Sequence, residues 1–262
     1  MLIDTHCHLD ATDFAADRAE VLKAAKAVGV SGLVIPAVEP GSFGALRTCC
    51  RSSSDGDLKC YPAYGIHPLY LPALDDAALP VLRQWLASEM VGERPPVAVG
   101  EIGLDHFVPG FDAARQELFL IEQLKIARDF DLPVLLHTRR SVDQVLKCLR
   151  RVRVRGGIAH AFNGSRVQAE TFIALGFGLG FGGAMTFAGS TRIRKLAAEL
   201  PLSSLVLETD APDIPPAWLA GRRNAPAELS RIAAVLAELR GIAVGEVAAS
   251  TTHNASALLG LC

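Results

Sequence analysis

Eight short apolar runs, separated by helix-like stretches, constrain this chain more than any other feature of its sequence. They are LIDTH (2–6), GLVIPAV (32–38), YPAYGIH (61–67), PVAVGEI (96–102), PVLLH (133–137), GIAHAF (157–162), FGLGFGG (177–183) and SLVLETD (204–210). Runs of this length, bounded by glycine, proline and polar clusters, read as strands. Their near-continuous apolar character suits strands covered on both faces, as in a parallel sheet with helices around it. The intervening segments have helical periodicity. In DAARQELFLIEQLKIARDF, Asp112 can cap the N-terminus, and Leu120, Ile121, Leu124 and Ala127 form an apolar stripe at i, i+1, i+4 and i+7. Eight such units predict closure into a (β/α)8 TIM barrel, and the length of 262 residues suits one. An open doubly wound sheet is the alternative, but no GxGxxG follows the first strand. No linker, repeat or low-complexity tract divides the chain, so a single domain over 1–262 is expected. Residues 225–261 supply a barrel helix and one terminal helix.

Several classes of protein are disfavoured. The window 171–191 carries no charged side chain, but its six glycines fit a helix end, a glycine turn, a buried strand and an uncharged loop better than a membrane span. The first residues are acidic and imidazole-bearing rather than basic and then apolar, so a cytoplasmic protein with no membrane association is expected. The six cysteines (Cys7, Cys49, Cys50, Cys60, Cys148, Cys262) include no CxxC pair, as reduced thiols would. A formal net charge of −2 argues against tight passive binding to nucleic acid. It does not exclude a phosphate substrate, because two divalent cations outweigh two carboxylate ligands and make a local pocket for anions.

Active sites of such barrels form at the C-terminal ends of the strands. Here the first run ends in His6 and His8, the third in His67, the fourth in Glu101, the fifth in His137, the sixth in His160 and the eighth in Glu208 and Asp210. Strand alternation aims His6 and His8 to one side and Cys7 to the other. A lone histidine at a strand end is usually a satisfied structural residue, whereas imidazoles and carboxylates at so many strand ends point to metal. The spacing suggests that His6, His8 and Asp210 hold one divalent ion, His137 and His160 a second, with Glu101 bridging at a metal separation of about 3.5–4 Å. This donor set suits Zn or Mn and permits Mg. Asp4 and Glu208 face inward and could orient ligands or simply form buried hydrogen bonds. His67 could touch substrate. Arg139, Arg140, Arg166, Arg222 and Arg223 follow strands and can reach the mouth. The run RRVRVR (150–155) joins a helix to the next strand, which places it on the opposite face. The proline-rich loop APDIPPAWLAGRRN after the eighth strand is expected to shape a pocket.

The segments DTHCHLD, YGIHP, VGEIGLD, LLHTRR, AHAFNGS, LETDAP, RNAP and TTHNASALLGL together resemble, in order and over the whole chain, the motifs of the TatD family of metal-dependent hydrolases. The resemblance implies an amidohydrolase-type barrel and, as in several characterised members, a deoxyribonuclease that cleaves phosphodiester bonds from a 3′ end. DNA would be its transiently and weakly bound substrate, with no obligate protein partner. Carried over, the family's metal ligands fall on His6, His8, Glu101, His137, His160 and Asp210, and of the arginines near the mouth Arg139 and Arg223 match its motifs, which favours those two as substrate-binding residues. Four positions depart from the family's common pattern: Leu69 where a second histidine often stands, His106 for an aromatic, Asn163 for Ser or Thr, and Ala225 for an acid.

Hydrolysis needs a nucleophile stronger than water, and a divalent ion can lower the pKa of water from 15.7 to about 7. That is worth roughly 12 kcal/mol at about 1.36 kcal/mol per unit, against roughly 3–5 kcal/mol for a positioned general base. Asp210 is expected to be both ligand and proton acceptor, and Glu101 the other catalytic carboxylate. Two rival readings remain at this stage: a small-molecule esterase, lactonase or phosphotriesterase on the same scaffold, and a non-catalytic binding or scaffold protein.

Overall fold

A computed structural model describes residues 1–261; Cys262 lies outside the described residues. The strands are β1 (Leu2–Asp4), β2 (Val30–Pro36), β3 (Lys59–Tyr64), β4 (Ala98–Asp105), β5 (Val134–Arg139), β6 (Gly157–Ala159), β7 (Phe177–Phe181) and β8 (Leu205–Leu207). They form one sheet in sequential order with every neighbouring pair parallel. The ring closes just beyond the strand ends. Thr5 N–H donates to the Leu207 carbonyl (3.1 Å), Asp210 N–H to that of His6 (2.8 Å) and His8 N–H to that of Ala211 (2.8 Å). The expected (β/α)8 barrel is thus the observed fold.

The helices are α1 (Arg18–Ala27), α2 (Phe43–Ser53), α3 (Ala78–Glu89), α4 (Ala113–Asp129), α5 (Val142–Arg151), α6 (Arg166–Ala174), α7 (Thr191–Glu199), α8 (Leu229–Arg240) and α9 (Val244–Leu259). Asp112 caps α4 as expected, its carboxylate accepting from Arg115 N–H, and the stripe Leu120, Ile121, Leu124 and Ala127 is buried. The uncharged window 171–191 resolves into the end of α6, β7 and a short 3-10 turn (Gly183–Thr186), and no helix is long and apolar enough to cross a membrane among the described residues.

Two apolar layers hold the barrel. The larger lies between strands and helices; the smaller fills the interior with Ile3, Val34, Ala63, Ala98, Leu135, Ile158 and Val206. Ala255 and Leu259 of α9 pack on that inner layer, so α9 floors the barrel at the N-terminal ends of its strands. Asn254 pins the helix there by donating to the carbonyls of Leu202 and Leu205, both at 2.8 Å. With the floor apolar and sealed, the opposite end is left for polar chemistry.

Candidate active site

The Glu101 carboxylate, on β4, is the centre of the mouth. His6 Nε2 lies 3.1 Å from its Oε2, and His8 Nε2 lies 3.7 Å from the same oxygen. Oε1 meets His137 Nδ1 at 2.9 Å, His160 Nε2 at 3.4 Å and His67 Nε2 at 3.6 Å. Asp210 Oδ1 stands 3.6 Å from His6 Nε2 and 3.7 Å from His8 Nε2. Of these residues only Glu101 and His137 lie within strands. The apolar runs read from sequence overshoot β1, β3, β6 and β8, so His6, His8, His67, His160, Glu208 and Asp210 sit in the first residues beyond a strand. The bonds that close the ring carry the alternation past the end of β1, and His6 and His8 do converge, their Nε2 atoms 3.3 Å apart.

Three groups of ligand-type atoms each fall within 4.8 Å: His6 with His8 and Asp210, His6 with Glu101 and His160, and His67 with Glu101 and His137. The first is the set expected to hold one ion. The other two place His137 and His160 on the same Glu101 but with different third partners, and they bring in His67. A hydrogen bond argues for a different role for His67. Leu69 N–H donates to its Nδ1 at 3.2 Å, so the neutral ring carries its proton on Nε2 and presents a donor to the mouth.

A second layer supports the first. Asp4 accepts from Thr209 N–H (2.9 Å), the Thr209 hydroxyl (2.6 Å) and His6 N–H (3.3 Å). It therefore fixes the backbone under His6 and Asp210 rather than an imidazole, and burial pushes its carboxyl up to about 8. Glu208 touches an imidazole directly: its Oε1 lies 3.4 Å from His160 Nδ1 and accepts from Ala161 N–H. Asp105 was not singled out in the sequence. Its Oδ2 lies 3.0 Å from His137 Nε2, so the His137 ring is clamped between two carboxylates, while Oδ1 accepts from Phe107 N–H at 2.8 Å. The signal was present, since alternation along β4 puts Glu101, Gly103 and Asp105 on one face.

The electrostatics suit a cation. Burial, helped by the charge of His160, lowers His6 to about 3, and burial likewise lowers His67 to about 3. Burial also disfavours charge on His160, but Asp210, Glu101 and Glu208 outweigh it and raise the ring to about 10. His137 is raised as well, its burial outweighed by bonds to Asp105 and Glu101. Glu101 is held well below the carboxylate range because the imidazoles outweigh its burial, and burial raises Asp210 to about 6. The carboxylates thus draw positive charge onto His160 and His137, while burial keeps the His6 ring neutral. Such a mixed imidazole and carboxylate donor set fits divalent metal.

The mouth opens into a cleft of about 1710 Å³ lined by His8, Tyr70, Phe107, Arg139, Ile214 and Arg223, among others. Pro212, Asp213 and Ile214 bring the proline-rich loop to this wall. Asn224 anchors the loop, its amide donating to the carbonyls of Thr209, Asp213 and Ile214. Arg139 and Arg140 line the cleft, and so does Arg223, although its guanidinium is engaged by Asp17 at 2.6 Å and by the Asp13 carbonyl. Two arginines expected at the mouth are elsewhere: Arg166 pairs with Glu170 and Glu199, and Arg222 turns back onto the Leu219 carbonyl. Arg151 and Arg155 of the basic run bond Glu117 and the Asp131 carbonyl on the helix-to-strand side. Among the departing positions, His106 stacks on Phe111 at 4.5 Å and Asn163 accepts from Arg192 at 2.6 Å.

A closed parallel barrel with imidazoles and carboxylates gathered at one end defines a metal-dependent hydrolase. The chain belongs to the TatD family, whose profile, described as TatD related DNase, matches residues 3–260. It is 40% identical to YjjV of Escherichia coli, named an uncharacterized metal-dependent hydrolase, over 99% of this chain and 98% of that protein. The crystal structure of YjjV superposes with a TM-score of 0.92 at 39% identity, covering 100% of this chain and 98% of the other. A protein of Erwinia amylovora named 3'-5' ssDNA/RNA exonuclease TatD is 31% identical over 99% of this chain and 100% of its own length.

Proposed function

We propose that this chain is a cytoplasmic deoxyribonuclease acting as a single domain, which removes nucleotides from the 3′ end of DNA with two divalent ions, Zn, Mg or Mn. The observation that carries the reading is the crowding of five imidazoles and Asp210 around the Glu101 carboxylate at the base of a cleft large enough for a polymer end. His6, His8 and Asp210 would hold one ion and His137 and His160 the other, with Glu101 shared. Bound metal supplies Lewis acidity that makes water more acidic and offsets charge at phosphorus.

The chain's own residues supply the rest. Asp210, whose carboxyl burial raises to about 6, is placed to take the proton of the attacking water. His67, with its proton on Nε2, donates to a phosphoryl oxygen and does not ligate. Asp105 keeps His137 in register by a hydrogen bond to the ring nitrogen that faces away from Glu101, and Glu208 orients His160 by its charge, 3.4 Å from the corresponding nitrogen. Arg139 offers a guanidinium to the phosphate backbone. The exonuclease name of the Erwinia amylovora relative supports the choice of substrate.

The test is hydrolysis of end-labelled single-stranded DNA, RNA and small esters, side by side, with Mg, Mn and Zn. Shortening of DNA from its 3′ end is expected. Rapid turnover of a small ester with every nucleic acid left intact would overturn the reading.

A further inference from the structure

Beyond Asp105, on the side away from Glu101, the cleft rim carries an arrangement that the metal centre does not use. Phe107 is 44% exposed, and two consecutive guanidiniums rest on its ring: Arg139 at 3.8 Å and Arg140 at 4.5 Å from the centroid. An exposed arginine normally samples many rotamers, and a ring contact of this kind restricts it while leaving its N–H groups free to donate. Asp105 fixes the backbone that carries the ring, since it accepts from the N–H of Phe107 and, at 3.3 Å, from that of Val108.

Arg140 has no carboxylate within ion-pairing distance among the described residues, and Arg139 has only Asp105 at 4.0 Å, a group already committed to His137. Arg140 also has a left-handed backbone, with φ of +54°, a conformation that costs a side-chain-bearing residue free energy and persists only where surroundings impose it. The next residue, Ser141, donates its hydroxyl to the Leu104 carbonyl at 2.7 Å instead of capping α5, and the first turn of α5 lines the same part of the cleft. The positive end of that helix adds to the field of the two guanidiniums. Asp143, the acid of that turn, accepts from the Gln168 amide at 2.7 Å.

The chain of contacts from Glu101 through His137 and Asp105 to Arg139 sets the guanidinium pair one imidazole and one carboxylate out from the metal centre. A phosphate held there is not the one being cleaved. We infer that Arg140 and Arg139, braced on Phe107, form a second phosphate subsite that takes a neighbouring linkage of the strand, so that the preferred substrate is an oligonucleotide with at least two phosphates. This inference rests on the nuclease reading above and extends it to the length of substrate the cleft engages.

Two measurements test it. The first is cleavage by wild type and Arg140→Gln of a one-phosphate diester, bis(p-nitrophenyl) phosphate, and of a single-stranded DNA octamer. The second is the salt dependence of octamer binding, read by fluorescence anisotropy in an Asp210→Asn background that suppresses turnover. With Arg140→Gln, KM for the octamer should rise about tenfold, turnover of the diester should not change, and the slope of log affinity against log salt should fall by about 0.7, the value for one phosphate contact on a single strand. Phe107→Leu, which keeps an apolar side chain but no ring, should show the same pattern more weakly. An Arg140→Gln protein that melts as wild type does, with unchanged octamer KM and salt slope, overturns the subsite and leaves the nuclease intact. A wild-type enzyme that cleaves no nucleic acid but turns over the diester overturns the nuclease reading and the subsite with it.

Discussion

Replacing Gly180 with alanine should weaken metal binding without adding or removing any charged or ligating group. Gly180 lies on β7, beside Glu208 at the end of the adjacent strand β8. A Cβ built there would stand 2.1 Å from Glu208 Oε2, 2.6 Å from its Cδ and 2.9 Å from Oε1. Carbon and oxygen do not approach this closely, so the carboxylate must withdraw by about 1 Å. Being the end of a flexible side chain, it can move, but in moving it leaves Ala161 N–H and His160 Nδ1. A buried donor left without its partner costs about 1–3 kcal/mol. Loss of the group that orients a ligating histidine typically lowers metal affinity about 10- to 100-fold. Titration against a competing chelator reads the affinity, and thermal melting reads the stability. Gly178→Ala is the control. Its Cβ would lie 2.4 Å from Leu258 Cδ1 on the floor side, so it should cost about 1–3 kcal/mol of stability and leave metal affinity unchanged. In a Glu208→Ala background Gly180→Ala should cost almost no further affinity, because the two changes act through one carboxylate. Wild-type affinity in Gly180→Ala would refute the positioning role of Glu208.

Three further outcomes follow from the same geometry. Asp210→Asn should keep the fold and lose nearly all hydrolysis, and chelation should abolish wild-type turnover until metal is restored; full activity in EDTA is the contrary result. In the metal-free protein His160 holds its proton up to about pH 10, so a cation has to displace it; affinity should fall as pH falls, by about tenfold per unit for each proton released between pH 8 and 6. A chelator competition corrected for the chelator's own protonation checks the slope, and a flat profile contradicts it. Asn224→Ala strips the partner from three carbonyls of the loop after β8, so it should cost about 1–3 kcal/mol, with a melting temperature lower by about 2–4 °C per kcal/mol.

The barrel was legible in the sequence because burial on both faces leaves long apolar runs, and such runs survive without knowledge of their neighbours. The strand ends were less so. LIDTH and SLVLETD read as strands through His6 and Asp210, yet β1 stops at Asp4 and β8 at Leu207, because there the chain turns to aim side chains inward. Asp210 takes a φ of +59° to do this, a choice imposed by ring closure and invisible to residue type. The convergence on Glu101 was readable from position alone, since every strand end of a closed barrel faces one mouth. The partition of the ring nitrogens was not. That His67 presents an N–H depends on the backbone of Leu69, and that Asp105 backs His137 depends on the register of β4 against β5. Arg166 and Arg222 show the converse: they follow strands, but long side chains go to the nearest acid or carbonyl, which the sequence does not locate.

The floor formed by α9 has a consequence for how the molecule is made. Of the described elements it is the last to leave the ribosome, and until it does the inner layer of Ile3, Val34 and Val206 has water beneath it. A nascent chain carrying all eight strands is therefore a tube open at both ends, and the emergence of α9 rather than of the final strand marks when its interior can dry.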